Sequence, residues 1–119
     1  MTEFHDQIKQ IVEHEDVALF TKGTPQFVMC GNSQRALEAL RRVGAPVTAV
    51  DILPDPRIRE ELSALSGWPT IPQVFVRGEL VGGADIVEEL EASGELQRTL
   101  REKLGADYNT TQERVVTVA

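Results

Sequence analysis

What this chain most lacks is cysteine: its 119 residues contain one. A lone thiol cannot close a disulfide within the chain, so any sulfur chemistry must involve a second molecule. Long apolar runs are missing too. None approaches the ~20 residues a helix needs to cross a bilayer. The opening Met1-Thr2-Glu3-Phe4-His5-Asp6 has no basic patch followed by an apolar run, so neither a secretory signal nor an Arg-rich transit peptide is expected. On these grounds the sequence reads as an intracellular, complete, cytoplasmic protein with no membrane partner. Cations are in deficit: 12 Lys and Arg against 19 Asp and Glu give a net charge of −7. Nucleic-acid binding needs clustered positive charge, so nucleic acid is excluded as the main partner; the acidic excess serves solubility. The remaining composition, 41% hydrophobic and 26% charged, fits one domain with one modest core.

Hydrophobic spacing orders the elements. Phe4, Ile8, Ile11 and Val12 keep the helical period over residues 3–14. Val17-Ala18-Leu19-Phe20 is a continuous apolar run suited to a buried central strand. Thr21 to Pro25 is a loop by its Gly and Pro. Ala36, Leu37, Leu40 and Val43 form one face of a second helix that Gly44 is placed to end. Val47 to Ile52 reads as a strand. Asp55-Pro56 opens a third helix carrying Ile58, Leu62 and Leu65, and Gly67-Trp68-Pro69 breaks it. Val74-Phe75-Val76 and Leu80-Val81 are a hairpin about Gly78. Ile86, Val87, Leu90, Leu96 and Leu100 line a last helical region, split at Ser93-Gly94-Glu95. The order α-β-α-β-α-β-β-α predicts a mixed sheet with helices on both faces.

Cys30 falls where a loop meets a helix start. Unpaired backbone N–H groups there favour a thiolate, the form that reacts and binds metal, and Lys22 on the same connection adds positive potential. The bland alternative is a small buried hydrophobe. Ser33 stands where a Cys-x-x-Cys pair would place its second thiol, so no dithiol cycle is available within the chain; it is equally a first-turn polar residue. Pro72 is expected to be trans on frequency alone. A cis bond would instead turn the backbone of Ile71 outward to pair with an extended peptide lying across Cys30. Gly82-Gly83 lets backbone approach a ligand closely, and the helix start behind it offers N–H groups to a carboxylate. Asp85 either caps that helix or accepts from a ligand amine.

Together these residues resemble the monothiol glutaredoxins. That family's pattern is a Lys-Gly-Thr-Pro loop, a Cys-Gly-Phe-Ser motif, a Trp-Pro-Thr-x-Pro segment and a Gly-Gly-Cys-Asp segment. Here they stand as Lys22-Gly23-Thr24-Pro25, Cys30-Gly31-Asn32-Ser33, Trp68-Pro69-Thr70-Ile71-Pro72-Gln73 and Gly82-Gly83-Ala84-Asp85. The match covers about residues 4–104. It implies an α/β thioredoxin-like (glutaredoxin) fold over residues 1–104, a central four-stranded mixed sheet flanked by helices on both faces, with 105–119 a loose polar tail.

The resemblance also implies a ligand, glutathione, or another low-molecular-weight thiol where the host makes one. Its contacts would be Lys22, Arg59, Ile71, Ala84 and Asp85, supported by Thr70, Pro72, Gly82 and Gly83. Lys22 and Arg59 would hold the glycyl carboxylate, Ile71 would pair with the cysteinyl unit, and Ala84-Asp85 would take the γ-glutamyl end. A [2Fe-2S] cluster needs four ligands, usually thiolates. Two chains, each giving Cys30, and two glutathiones would complete the set as a cluster-bridged homodimer. The family also pairs with BolA-type proteins, and the cluster implies iron–sulfur donor and recipient proteins. Three positions depart from the pattern: Asn32 replaces Phe, Val28 a Pro, and Ala84 a Cys. Three functions follow: a cluster carrier, a glutathione-dependent thiol–disulfide oxidoreductase working through Cys30, and an interaction module with an inert cysteine.

Overall fold

A computed structural model describes residues 2–110 and 113–118. Helix α1 (Thr2–His14) leads into strand β1 (Val17–Thr21), followed by a small hairpin of β2 (Gly23–Thr24) and β3 (Phe27–Val28). Then come α2 (Gly31–Arg42), β4 (Val47–Asp51), α3 (Pro56–Ser66), β5 (Gln73–Val76), β6 (Glu79–Gly82), α4 (Ala84–Ser93) and α5 (Glu95–Leu104). A 3-10 turn at Tyr108–Thr110 and strand β7 (Arg114–Val116) close the described chain.

The main sheet has the order β6-β5-β1-β4-β7, with β1 parallel to β4 and antiparallel to β5. Every residue of β1 is buried, as its unbroken apolar run demands of a strand covered on both faces. Alternation then sorts its side chains. Val17 and Leu19 join Val47, Ala49, Val74 and Val76 beneath α2, α4 and α5. Ala18 and Phe20 join Val50 and Phe75 beneath α1 and α3. On that second face Phe20 and Phe75 meet edge to face, 5.9 Å between ring centroids.

Local signals set the helix ends. The Asp55 carboxylate accepts from Arg57 N–H at 3.0 Å and Pro56 takes the first helical position. The last helical region divides at Gly94, whose φ of +84° is a left-handed conformation that glycine adopts freely, so α4 stops and α5 starts afresh.

The expected four-stranded mixed sheet is present as β6-β5-β1-β4, and β7 adds a fifth strand parallel to β4. The stretch expected to be a loose tail therefore holds a strand. Arg114, Val115 and Val116 pair with Thr48, Ala49 and Val50. Tyr108 Oη donates to the Val43 carbonyl at 2.8 Å, and Val118 is buried beside Val50 and Ile52 in the second core. Arg114 also reaches Glu15 and Thr48. No helix among the described residues is long and apolar enough to cross a membrane.

Candidate functional site: a thiol at a helix entrance

Backbone clamps on both sides fix the loop carrying Cys30. Lys22 C=O accepts from Met29 N–H at 2.8 Å, and Lys22 N–H donates to the Ser33 hydroxyl at 3.2 Å. The cysteine's immediate neighbours are thus tied to Lys22, eight positions upstream. Gly23 makes the fold-back possible: its φ is +96°, and a Cβ there would lie 2.2 Å from the Phe27 carbonyl oxygen. Beneath the loop, one oxygen of Asp51 accepts from Gly23 N–H and Leu53 N–H, both at 2.9 Å.

Cys30 itself is the residue preceding α2, with extended backbone (φ −141°, ψ 130°) and a half-buried side chain. No side-chain hydrogen bond caps the helix. The sulfur instead lies close to the helix's own first N–H groups. That of Ser33 does most to lower the thiol below its ordinary pKa. Burial opposes the shift, and Asn32 N–H, the Ser33 hydroxyl and the Lys22 charge add to it. Ser33 is fully buried and bonds the loop backbone, so it is more than a first-turn polar residue. Around the thiol the surface is apolar: Phe27 and Met29 are 76% and 70% exposed.

A shallow cavity of about 190 Å³ opens beside this turn, lined by Asn32, Thr70, Ile71, Pro72, Gly83, Ala84, Asp85 and Ile86. Its loop wall is folded by Gln73. That fully buried amide donates to the carbonyls of Trp68 (2.8 Å) and Thr70 (3.2 Å) and accepts from the Ser66 hydroxyl (2.8 Å). The Ile71–Pro72 peptide is cis. The trans expectation fails because bond frequency carries no information about this tertiary setting. The opposite wall is the start of α4, where Gly83 precedes the helix with no side-chain cap. Asp85 does not cap; it is exposed and meets Arg35 of α2 at 2.6 Å.

The glutaredoxin family model matches residues 17–81. Glutaredoxin 4 of Pasteurella multocida is 48% identical over 103 residues, covering 87% of this chain and 94% of its own length. The chain belongs to the monothiol glutaredoxins. This glutaredoxin spans only 20% of the rice monothiol glutaredoxin-S11, to which it is 46% identical. Among solved structures, reduced poplar apo GrxS14 superposes with a TM-score of 0.74 at 38% identity, over 83% of this chain and 91% of that one. A buckwheat glutaredoxin–glutathione complex gives a TM-score of 0.74 at 25% identity, over 85% and 90%.

In this glutaredoxin the residues expected at the ligand site do not all come together. Thr70, Ile71, Pro72, Gly83, Ala84 and Asp85 share one cavity. Gly82 ends β6 just behind it. Neither Cys30 nor Lys22 lines it: Cys30 stands two residues before Asn32, which does, and the Lys22 N–H is bonded to Ser33, the residue after Asn32. Arg59 stands apart: it donates to the Pro69 carbonyl at 3.3 Å and lines a neighbouring hollow of about 480 Å³ with Pro56, Glu60, Ser63 and Pro69. Among the described residues no group of three or more His, Cys, Asp and Glu side chains could hold a metal ion by itself.

Sequence reasoning missed two residues that organise this glutaredoxin's site. Gln73 was a polar residue heading an apolar strand, a signal that its amide had buried work to do. Arg35 sits five positions after Cys30. It bonds Asn32 (3.0 Å), Asp85 and Glu88, and Glu88 first and Asp85 second keep it firmly charged.

Proposed function

We propose that the chain carries a [2Fe-2S] cluster as cargo and hands it on during iron–sulfur cluster assembly in the cytoplasm. Two copies would each give the Cys30 thiolate, and two bound glutathiones would give the other two thiolates, completing the four ligands such a cluster takes. The observation that carries this reading is the half-buried Cys30 sulfur, lowered toward thiolate at the start of α2, beside a cavity walled by Ile71, Ala84 and Asp85. The donor set fits: a soft thiolate suits iron–sulfur chemistry. One cysteine per chain means the remaining ligands come from other molecules. The buckwheat relative's complex with glutathione supports the ligand. Lys22 would meet its glycyl carboxylate, and Arg59 would join it by leaving the Pro69 carbonyl to which it donates. The apolar rim of Phe27 and Met29 suits contact with a second copy, a BolA-type protein, or a cluster donor or recipient.

Anaerobic reconstitution with iron, sulfide and glutathione tests this. The wild type should turn brown as a dimer holding one cluster, and Cys30→Ser should stay colourless. A colourless, folded wild-type monomer sinks the proposal.

A second reading uses the same sulfur as a nucleophile. Asn32 favours it, placing a polar amide where the family's apolar ring would lie against a cluster. Cys30 thiolate would attack the glutathione sulfur of a glutathionylated protein, releasing the protein thiolate and forming a Cys30–glutathione disulfide. A second glutathione thiolate would then attack that bond, giving oxidised glutathione and restoring Cys30. Turnover equal to that of Cys30→Ser excludes this route.

A further inference from the structure

Arg35 bridges two residues of the cavity lining. From α2 its Nη1 donates to Asn32 Oδ1 at 3.0 Å on one side, and its Nη2 donates to Asp85 Oδ1 at 2.6 Å on the other. Its Nε donates to Glu88 Oε2 at 3.1 Å, and Nη2 also reaches the second Glu88 oxygen. Both Asn32 and Asp85 line the cavity. A guanidinium has five N–H donors. These four bonds leave one without a partner among the described residues, and it is on Nη1, the nitrogen bonded to Asn32. Asp85 likewise keeps an oxygen free, its side chain being 86% exposed.

The rim therefore presents one unpaired cationic donor and one unpaired carboxylate oxygen side by side, at a helix start whose first N–H groups also attract negative charge. An α-amino acid group, with an ammonium and a carboxylate on one carbon, complements that pair. An ammonium alone would leave the Arg35 donor idle, and a carboxylate alone would face Asp85. Asn32, itself part of the lining, contributes by holding Nη1.

We propose that Arg35 is a specificity-determining residue: with Asp85 it forms a clamp for the free α-amino acid end of the thiol peptide, donating to its α-carboxylate. This rests on the reading of the cavity as a glutathione site and adds to it a residue outside the four family motifs. It makes the chain discriminate against thiols that lack the α-carboxylate even when their cysteinyl and glycyl parts are identical.

The test uses reduced, cluster-free full-length protein and calorimetric titration with two peptides: glutathione, and 4-aminobutanoyl-Cys-Gly, which keeps the amine but lacks the α-carboxylate. Wild type should prefer glutathione. Arg35→Gln should cut that preference roughly three- to tenfold, the range for one partly exposed charge-assisted bond, with affinity for the analogue unchanged. Arg35→Lys, which keeps the charge and loses the fork, should restore part of it. An Arg35→Gln variant that keeps the full preference, or that weakens both peptides equally, overturns the clamp. Wild type that binds neither peptide overturns the glutathione reading and the clamp together; wild type that binds both equally overturns the clamp alone.

Discussion

Replacing Gln73 with leucine isolates what one buried amide does for the site. Gln73 is fully buried at the head of β5 and makes three hydrogen bonds: to the carbonyls of Trp68 and Thr70 and from the Ser66 hydroxyl. Leucine is close to it in size, so no large cavity opens and the loss is almost purely polar. Each bond contributes about 1 kcal/mol net, and a buried partner left unsatisfied costs about 1–3 kcal/mol. Leucine's better transfer free energy offsets part of this. The expected destabilisation is about 2–4 kcal/mol, which for a domain of this size lowers Tm by roughly 10 °C. Binding should suffer as well, because the same two carbonyls fold the segment that brings Ile71 to the cavity. Thermal melting followed by circular dichroism, with glutathione titration at a temperature where the variant is folded, reads both effects. A Tm drop under about 2 °C would refute the reasoning, since it would mean that these bonds hold neither the fold nor the loop together.

Two further outcomes follow from the geometry. The pH midpoint for alkylation of Cys30 by iodoacetamide should lie lower in the folded chain than in the same chain in urea, because the folded thiol is lowered by the Ser33 and Asn32 N–H groups. By linkage, the thiolate's contribution to stability is fully present above the unfolded thiol range of ~8.5 and is lost as pH falls through the folded value; equal midpoints would contradict this. Deleting residues 105–119 should cost about 3 kcal/mol and expose the β4 amides that face β7 to hydrogen exchange, since Val118, the Tyr108–Val43 bond and the β4–β7 pairing go together; unchanged β4 protection would refute it.

Periodicity carried most of the fold. The strict division of Val17 and Leu19 from Ala18 and Phe20 between two cores is a direct result of strand alternation. The elements it missed are those too short to have a period. Gly23–Thr24 and Phe27–Val28 pair over two residues each, and Arg114–Val116 pairs over three. They are held by partners distant in sequence, such as Asp51 for the first hairpin and Thr48 for the last strand.

At the site, local motifs pointed to Ile71, Ala84 and Asp85, which the fold gathers around one cavity, and to Cys30 at the start of α2. Contacts across the fold were illegible. Nothing within a few residues of Asp85 announced that Arg35, 50 positions earlier, would take it from the capping role. Nor did spacing announce that Arg59 would bond the Pro69 carbonyl and line a separate hollow.

The single Asp51 oxygen that holds both Gly23 and Leu53 has a mechanical consequence. Lys22 precedes the first of these residues, and the stretch leading to Arg59 follows the second. On the proposed reading Lys22 and Arg59 would meet one ligand and repel each other, so their spacing needs a foundation that their own contact cannot supply. Here the footing is shared underneath: the loops that leave the C-terminal ends of the parallel strands β1 and β4 hang from one atom, and a displacement of either reaches the other through it.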